Sequence, residues 1–198
     1  MDEHEQTLSS EESFALITRM INKAKDDYNE TGVSALMWGS LVTFCSLVAF
    51  INYWLQIQWL DYVWILTFIA VIPQIIISIN EGKKKKFKTY SDDIMGGIWI
   101  SFGINIFLLS YFVNVVPVQH VDSLYLIAYG IPTFATGYAK NFKPMIIGGI
   151  ACWIFSIINI YIPYPYSMLL VTLAALLAWA IPGLILRRRY QNAKEQHV

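Results

Sequence analysis

The chain has 198 residues, of which 56% are hydrophobic and only 14% charged, against roughly 45–50% apolar and about 25% charged in an ordinary soluble domain. That composition excludes a disordered chain and a cytosolic protein of ordinary make-up. Lys plus Arg and Asp plus Glu both number 14, so there is no global basic field to draw nucleic acid, and no nucleic-acid partner is expected.

The first six residues, Met-Asp-Glu-His-Glu-Gln, are acidic where a secretory signal needs a basic start. The first membrane span is therefore expected to act as the insertion signal. Residues 9–32 read as one helix within a cytoplasmic N-terminal region, 1–32. Ser9 and Glu12 have capping-box spacing, Glu11 and Glu12 lie at the positive end of the helix dipole, and Gly32 suits a left-handed terminal position. Phe14, Ile17, Met20, Ile21, Ala24 and Tyr28 fall on one face at 100° per residue. The opposite face mixes both charge signs, which favours protein over lipid contact. Phe14, Ile17, Ile21, Ala24 and Tyr28 are the expected docking residues, either beneath the chain's own bundle, on a second copy in a homo-oligomer, or on a cytosolic partner.

A bilayer core about 30 Å thick needs about 20 apolar residues in helical form, because hydrocarbon offers the backbone no hydrogen-bond partners. Stretches free of Asp, Glu, Lys and Arg run over 31–60, 62–80, 94–121, 123–139 and 144–186. The last is long enough for two spans, with Tyr161-Ile-Pro-Tyr-Pro-Tyr166 as the turn between them. The expected architecture is all-α: six transmembrane helices over 33–55, 60–80, 94–116, 122–139, 145–162 and 167–186, arranged as three antiparallel hairpins. A basic tail, 187–198, follows.

Cations orient such a bundle, since short cytoplasmic loops retain them. Arg19, Lys23 and Lys25 precede the first span. Lys83 to Lys86 and Lys88 separate the second and third, Lys140 and Lys143 the fourth and fifth, and Arg187 to Arg189 and Lys194 follow the sixth. These are all 14 cations, and every one falls on a single face. Both termini are expected in the cytoplasm, in a multi-pass protein of the inner (plasma) membrane. The opposite loops carry only Asp61, His120 and Asp122 as titrating acids or bases, with a belt of Tyr and Trp rings. Asp61 and Asp122 open the second and fourth spans, where a carboxylate caps a helix.

The odd spans share Ile-Asn followed two residues later by an aromatic ring, at Asn52, Asn105 and Asn159, and the even spans share Ile-Pro, at Pro73, Pro132 and Pro182. Small residues four apart open the odd spans: Ala35 and Gly39, Gly97 and Ser101, Gly148 and Cys152. Two readings follow. The asparagines are interhelical glue worth about 1 kcal/mol each, or Asn52, Asn105, Asn159 and Gln74 line a shared polar pocket with the three prolines as hinges, as in transporters built from repeated hairpins.

Inside the spans proper there is no Asp, Glu, Lys, Arg or His beyond Asp61 and Asp122 at their mouths, and such groups usually mark ion coupling and catalysis. No catalytic motif is present. His4, His120 and His197 lie outside the membrane core, and Cys45 and Cys152 are far apart in sequence, so neither cofactor nor metal is expected.

The run Met20-Ile-Asn-Lys-Ala-Lys25, with Gly32 and Leu36-Met-Trp-Gly39 after it, resembles the opening of small, uncharacterised bacterial six-span integral membrane proteins. The resemblance implies a bacterial inner-membrane protein acting near a transcriptional regulator, and it carries over no catalytic or binding residue. The functional expectation is a non-enzymatic sensor, scaffold or accessory subunit, embedded in the lipid bilayer, presenting its cytoplasmic helix and basic loop to a partner. The alternative is a small transporter or channel for a neutral or hydrophobic solute.

Overall fold

Helices make up the regular structure throughout the described residues, which are 31–84 and 90–195 together with Ser9, Phe14 and Ala15 of the computed structural model. The chain divides into two units, Met1–Glu30 and Thr31–Val198. In the first, Phe14 and Ala15 are helical and Phe14 is exposed. Ile17, Ile21, Ala24 and Tyr28 lie outside the described residues.

In the second unit α1, Val33–Leu55, begins at Gly32 in the left-handed conformation (φ 68°). After a turn at Gln56, a 3₁₀ segment, Gln58–Trp64, leads into α2, Ile65–Ile69, and α3, Val71–Lys84. Then come α4, Tyr90–Val115; α5, Val121–Ala139; α6, Lys143–Asn159; and α7, Ser167–Ala175. A π-helical turn, Leu176–Ala180, joins α7 to α8, Ile181–Glu195. Four segments are long and apolar enough to cross a bilayer: Val33–Leu55, Gln58–Lys83, Asp92–Val115 and Ser167–Glu195. The expected fourth and fifth spans are the α5–α6 pair. Helix α5 carries Asp122, Ser123, Thr133 and Thr136, and α6 has 17 helical residues, about 25 Å at 1.5 Å per residue.

Two of the three prolines coincide with irregular backbone. Pro73 follows the break at Ala70 between α2 and α3. Pro182 follows the π turn, where the Ile181 N–H reaches back to the Leu176 carbonyl. A proline lacks the donor for the carbonyl four residues earlier and its ring crowds that carbonyl, so widening the preceding turn relieves both problems. Pro132 is carried within a continuous α5.

The core is built from α1, α5, α6 and the last, composite helix, through Val42, Ala49, Leu126, Tyr129, Cys152, Val171, Ala174 and Trp179. Within it the π turn is clasped between two glycines. A Cβ on Gly39 of α1 would stand 2.5 Å from the Ala180 nitrogen, and one on Gly148 of α6 would stand 2.6 Å from the Ala178 Cα. By contrast α2 and α3 pack against α1, and α4 packs against α5. None of the residues in the apolar window of Asp92–Val115 is buried.

Several contacts define one end of the unit. The Thr31 hydroxyl donates to Glu81, Gly32 abuts the Gly183 carbonyl and the Arg187 nitrogen, and the Arg189 guanidinium lies 5.3 Å above the Phe142 ring. This end therefore gathers the start of α1, the end of α3, the α5–α6 turn and the basic part of α8. Burial lowers Lys140, in that turn, to about 8.

Gly39→Val and Gly148→Val are expected to lose about 1–3 kcal/mol by overpacking, whereas Gly103→Ala, whose Cβ would meet nothing within 4 Å, should gain up to about 1 kcal/mol from helix propensity; thermal unfolding in detergent separates them. Folding of Lys140 as the charged ammonium costs stability below pH 8, and that cost fades as pH rises through the interval up to the unfolded value of 10.5. The wild type should therefore gain stability relative to Lys140→Met between pH 8 and 10.5, measured by paired melting curves; parallel curves would contradict this.

Candidate functional site

The four polar residues proposed to share a pocket occur in four different places, each explained by its local backbone. Asn52 is at the last turn of α1, where the carbonyls run out of helical donors. Its own Oδ1 accepts the Ile57 N–H at 2.9 Å, which orients the amide so that Nδ2 donates to Asp61 Oδ1 at 2.6 Å. Gln74 follows Pro73 on α3. Its Oε1 accepts the Trp38 indole N–H at 2.9 Å, and its Nε2 donates to Ser34 and Ser78. Asn159 ends α6 and is buried, with Nδ2 donating to Ser123 Oγ at 3.2 Å and no donor to its Oδ1 among the described residues. Asn105 lies in the middle of α4, exposed on the wall of a groove.

The three asparagines are consequently not equivalent under a threefold repeat. Two terminate helices and cross-link to the start of another element, and the third stands ten residues short of its helix end. Asp61 and Asp122 also differ from expectation. Both lie in a first turn, but neither provides a side-chain cap. Each instead accepts from a side chain on another element, Asp61 from Asn52 and Asp122 from the Ser167 hydroxyl at 2.8 Å.

Two concavities result. The groove, about 410 Å³, runs between α4 and α5 and is lined by Gly97, Ser101, Asn105, Ala128, Ile131 and Pro132 among others. It is bounded by two interhelical bonds, Trp99 Nε1 to Thr136 Oγ1 at 3.1 Å and Ser110 to the Tyr125 hydroxyl at 2.8 Å. The second is a recess of about 340 Å³ at the end of the unit opposite Arg187–Arg189, lined by Asn52, Tyr53, Gln56, Gln58, Asp61, Trp64 and Tyr164. No family model, curated protein or solved structure matches this chain.

Two polar pairs link helices within the core. Ser46 and Thr172 share a hydrogen bond of 2.7 Å between α1 and α7. The Trp179 indole of the π turn donates to Thr133 Oγ1 at 2.9 Å, and Thr133 donates to the Tyr129 carbonyl at 2.7 Å. Trp179 also packs on Tyr129 at 4.9 Å between ring centroids. Thr133 is next to Pro132, so this bond ties two of the three proline-bearing helices together. The Thr133–Trp179 bond was not legible in the sequence, because a Thr-Trp pair 46 residues apart carries no periodic signal.

Thr133→Val should leave the Trp179 N–H unpaired in the core and cost about 1–3 kcal/mol, while Trp179→Phe combined with it should recover part of that loss. A double-mutant cycle on detergent-solubilised protein measures the coupling, and strictly additive losses would show that the bond contributes nothing.

Proposed function

We propose that this is a non-enzymatic, six-span protein of the plasma membrane, working as a sensor or accessory subunit whose working surfaces are at its two rims rather than along a path through its centre. The observation that carries this reading is the pairing of core polar groups between helices, Ser46 with Thr172 and Trp179 with Thr133. A solute path needs polar groups that exchange partners with the solute; groups locked in pairs at bilayer depth do not offer them without disrupting the core.

Six spans are supported by the position of α5. Ser123, Thr133, Thr136, Gly130 and Gly137 are all buried, so its polar residues face protein and the helix needs less apolar surface than a lipid-exposed one. Helix α6 packs against α5 and the last, composite helix, and its end continues in tighter turns through Ile162, which adds reach to its 17 residues. Orientation follows from the cations: the end defined by Thr31, Phe142 and Arg187 is the cytoplasmic one under the positive-inside rule. The amphipathic segment 9–32 is then cytoplasmic as well, with Phe14, Ile17, Ile21, Ala24 and Tyr28 available to a homo-oligomeric or cytosolic partner.

The transporter reading has one observation in its favour, the irregular backbone beside Pro73 and Pro182, since π turns and broken helices recur where helices move. Flux of a neutral solute into proteoliposomes, abolished by Asn105→Leu in a protein that still folds, would establish it and displace the sensor reading.

Cysteines introduced at Gln58 and Thr89 test the topology: Gln58→Cys should react with an impermeant maleimide in intact cells, and Thr89→Cys only after lysis. The reverse pattern would overturn the orientation. For partner binding, a photo-cross-linker at Ile21 should yield one defined adduct, a second copy or a specific protein, that disappears with Phe14→Asp; an adduct pattern indifferent to Phe14 would remove the docking face.

A further inference from the structure

The outer recess has a composition that the interfacial belt of rings does not explain. Trp59, Tyr62 and Tyr161 are belt residues, more than two-thirds exposed. Tyr53 and Tyr164 instead form a corner over the recess, with centroids 5.6 Å apart and planes at 69°, and Trp64 adds a half-buried third wall. At the edge is the Asp61 carboxylate, fixed by the Asn52 amide, which is only 5% exposed and is itself oriented by the Ile57 N–H. Burial, then the Asp122 and Asp61 carboxylates, push the Tyr164 hydroxyl above its usual range. All lysines and arginines of the described unit fall in or beside the segments at the opposite end.

We propose that this recess binds a quaternary ammonium group. Aromatic faces meeting near a right angle present their negative quadrupoles to a cation from two directions, and alkylated ammonium prefers such walls because it is weakly hydrated. Asp61 supplies the counter-charge without needing a hydrogen bond from the ligand. The volume, about 340 Å³, is at the small end of ligand sites and suits a headgroup rather than a larger molecule. That group reaches the outer rim either as a small soluble cation or as the choline headgroup of a lipid, and the chemistry is the same for both. The outward placement rests on the orientation proposed above, whereas the binding itself does not.

The test uses the full chain in maltoside detergent, titrated with tetramethylammonium chloride against sodium chloride and followed by calorimetry. Saturable binding is expected for tetramethylammonium only, weakened about tenfold or more by Asp61→Asn and roughly fivefold by Tyr164→Leu, and retained by Tyr164→Phe. The uncharged isostere 3,3-dimethylbutanol should not compete. Melting temperatures check folding, and if Asp61→Asn fails to fold, the Tyr164 pair decides. No saturable binding by folded wild type, equal binding of the neutral isostere, or unaltered binding in both Asp61→Asn and Tyr164→Leu would overturn the proposal. Nanodiscs distinguish the sources: competition by phosphatidylcholine but not phosphatidylglycerol discs indicates the lipid headgroup, and equal affinity in both indicates the soluble cation. If Gln58→Cys labels only from inside while tetramethylammonium still binds, the orientation fails and the recess stands.

Discussion

The clasp of the π turn by Gly39 and Gly148 is the constraint on which the rest of the bundle depends. Between apolar helices in lipid there is no water to expel, so attraction comes from close van der Waals approach and a few hydrogen bonds. Only where one helix omits its Cβ can another backbone come near enough for that approach to be strong. Here glycines on α1 and α6 do so on both sides of the same five residues, Leu176–Ala180. Pro182 follows the widened turn, so this proline is accommodated beside two closely approaching backbones, and Trp179 is delivered from that turn to Thr133.

From this centre the hydrogen-bonding pattern grows outward in local pairs. Several buried hydroxyls and amides meet a partner supplied by another helix, and each such pair is worth on the order of 1 kcal/mol in a membrane. Their collective effect is to fix rotation and register among helices whose apolar faces are nearly interchangeable. The Asn52–Asp61 bond does this for the turn between α1 and the second span, and Asp122 with Ser123 does it for three elements at once, receiving Ser167 and Asn159. Placing the carboxylates at the rim limits the cost of burying charge and leaves Asp61 exposed beside a set of rings.

Much of the fold was legible in the sequence because charge is an unambiguous signal in a membrane chain. Stretches without Asp, Glu, Lys or Arg gave helices near 33–55, 60–80, 94–116 and 167–186, and the observed segments Val33–Leu55, Gln58–Lys83, Asp92–Val115 and Ser167–Glu195 agree to within a few residues at most ends. The exception is the tail of the last helix, which continues to Glu195 as an ordinary polar helix. Helix α5, expected as a span over 122–139, buries Thr133 and Thr136 and is not among the four segments long and apolar enough to cross a bilayer. The site was less legible. The recurrence of Ile-Asn suggested one shared pocket, but position within the helix decides what an asparagine can do. Asn52, at the end of α1, is within reach of the Ile57 N–H in the turn beyond the helix; in mid-helix, as at Asn105, the backbone is already paired and the side chain must look elsewhere.

The same reasoning explains why glycines on α4 differ in kind from those in the core. Gly39, Gly148 and Gly183 each face a neighbouring backbone, and a Cβ there would collide with it. Gly96, Gly97 and Gly103 face open space, where glycine weakens a helix by up to about 1 kcal/mol relative to alanine and the missing Cβ brings no other helix closer. Helix α4 is held at α5 by Trp99 with Thr136 and by Ser110 with Tyr125, one bond above the groove and one below. Between those two bonds Phe102 and Ile106 pack against the core cluster, Phe102 with its ring on Tyr129, so α4 is held by side-chain contact where the core helices are held by close backbone approach.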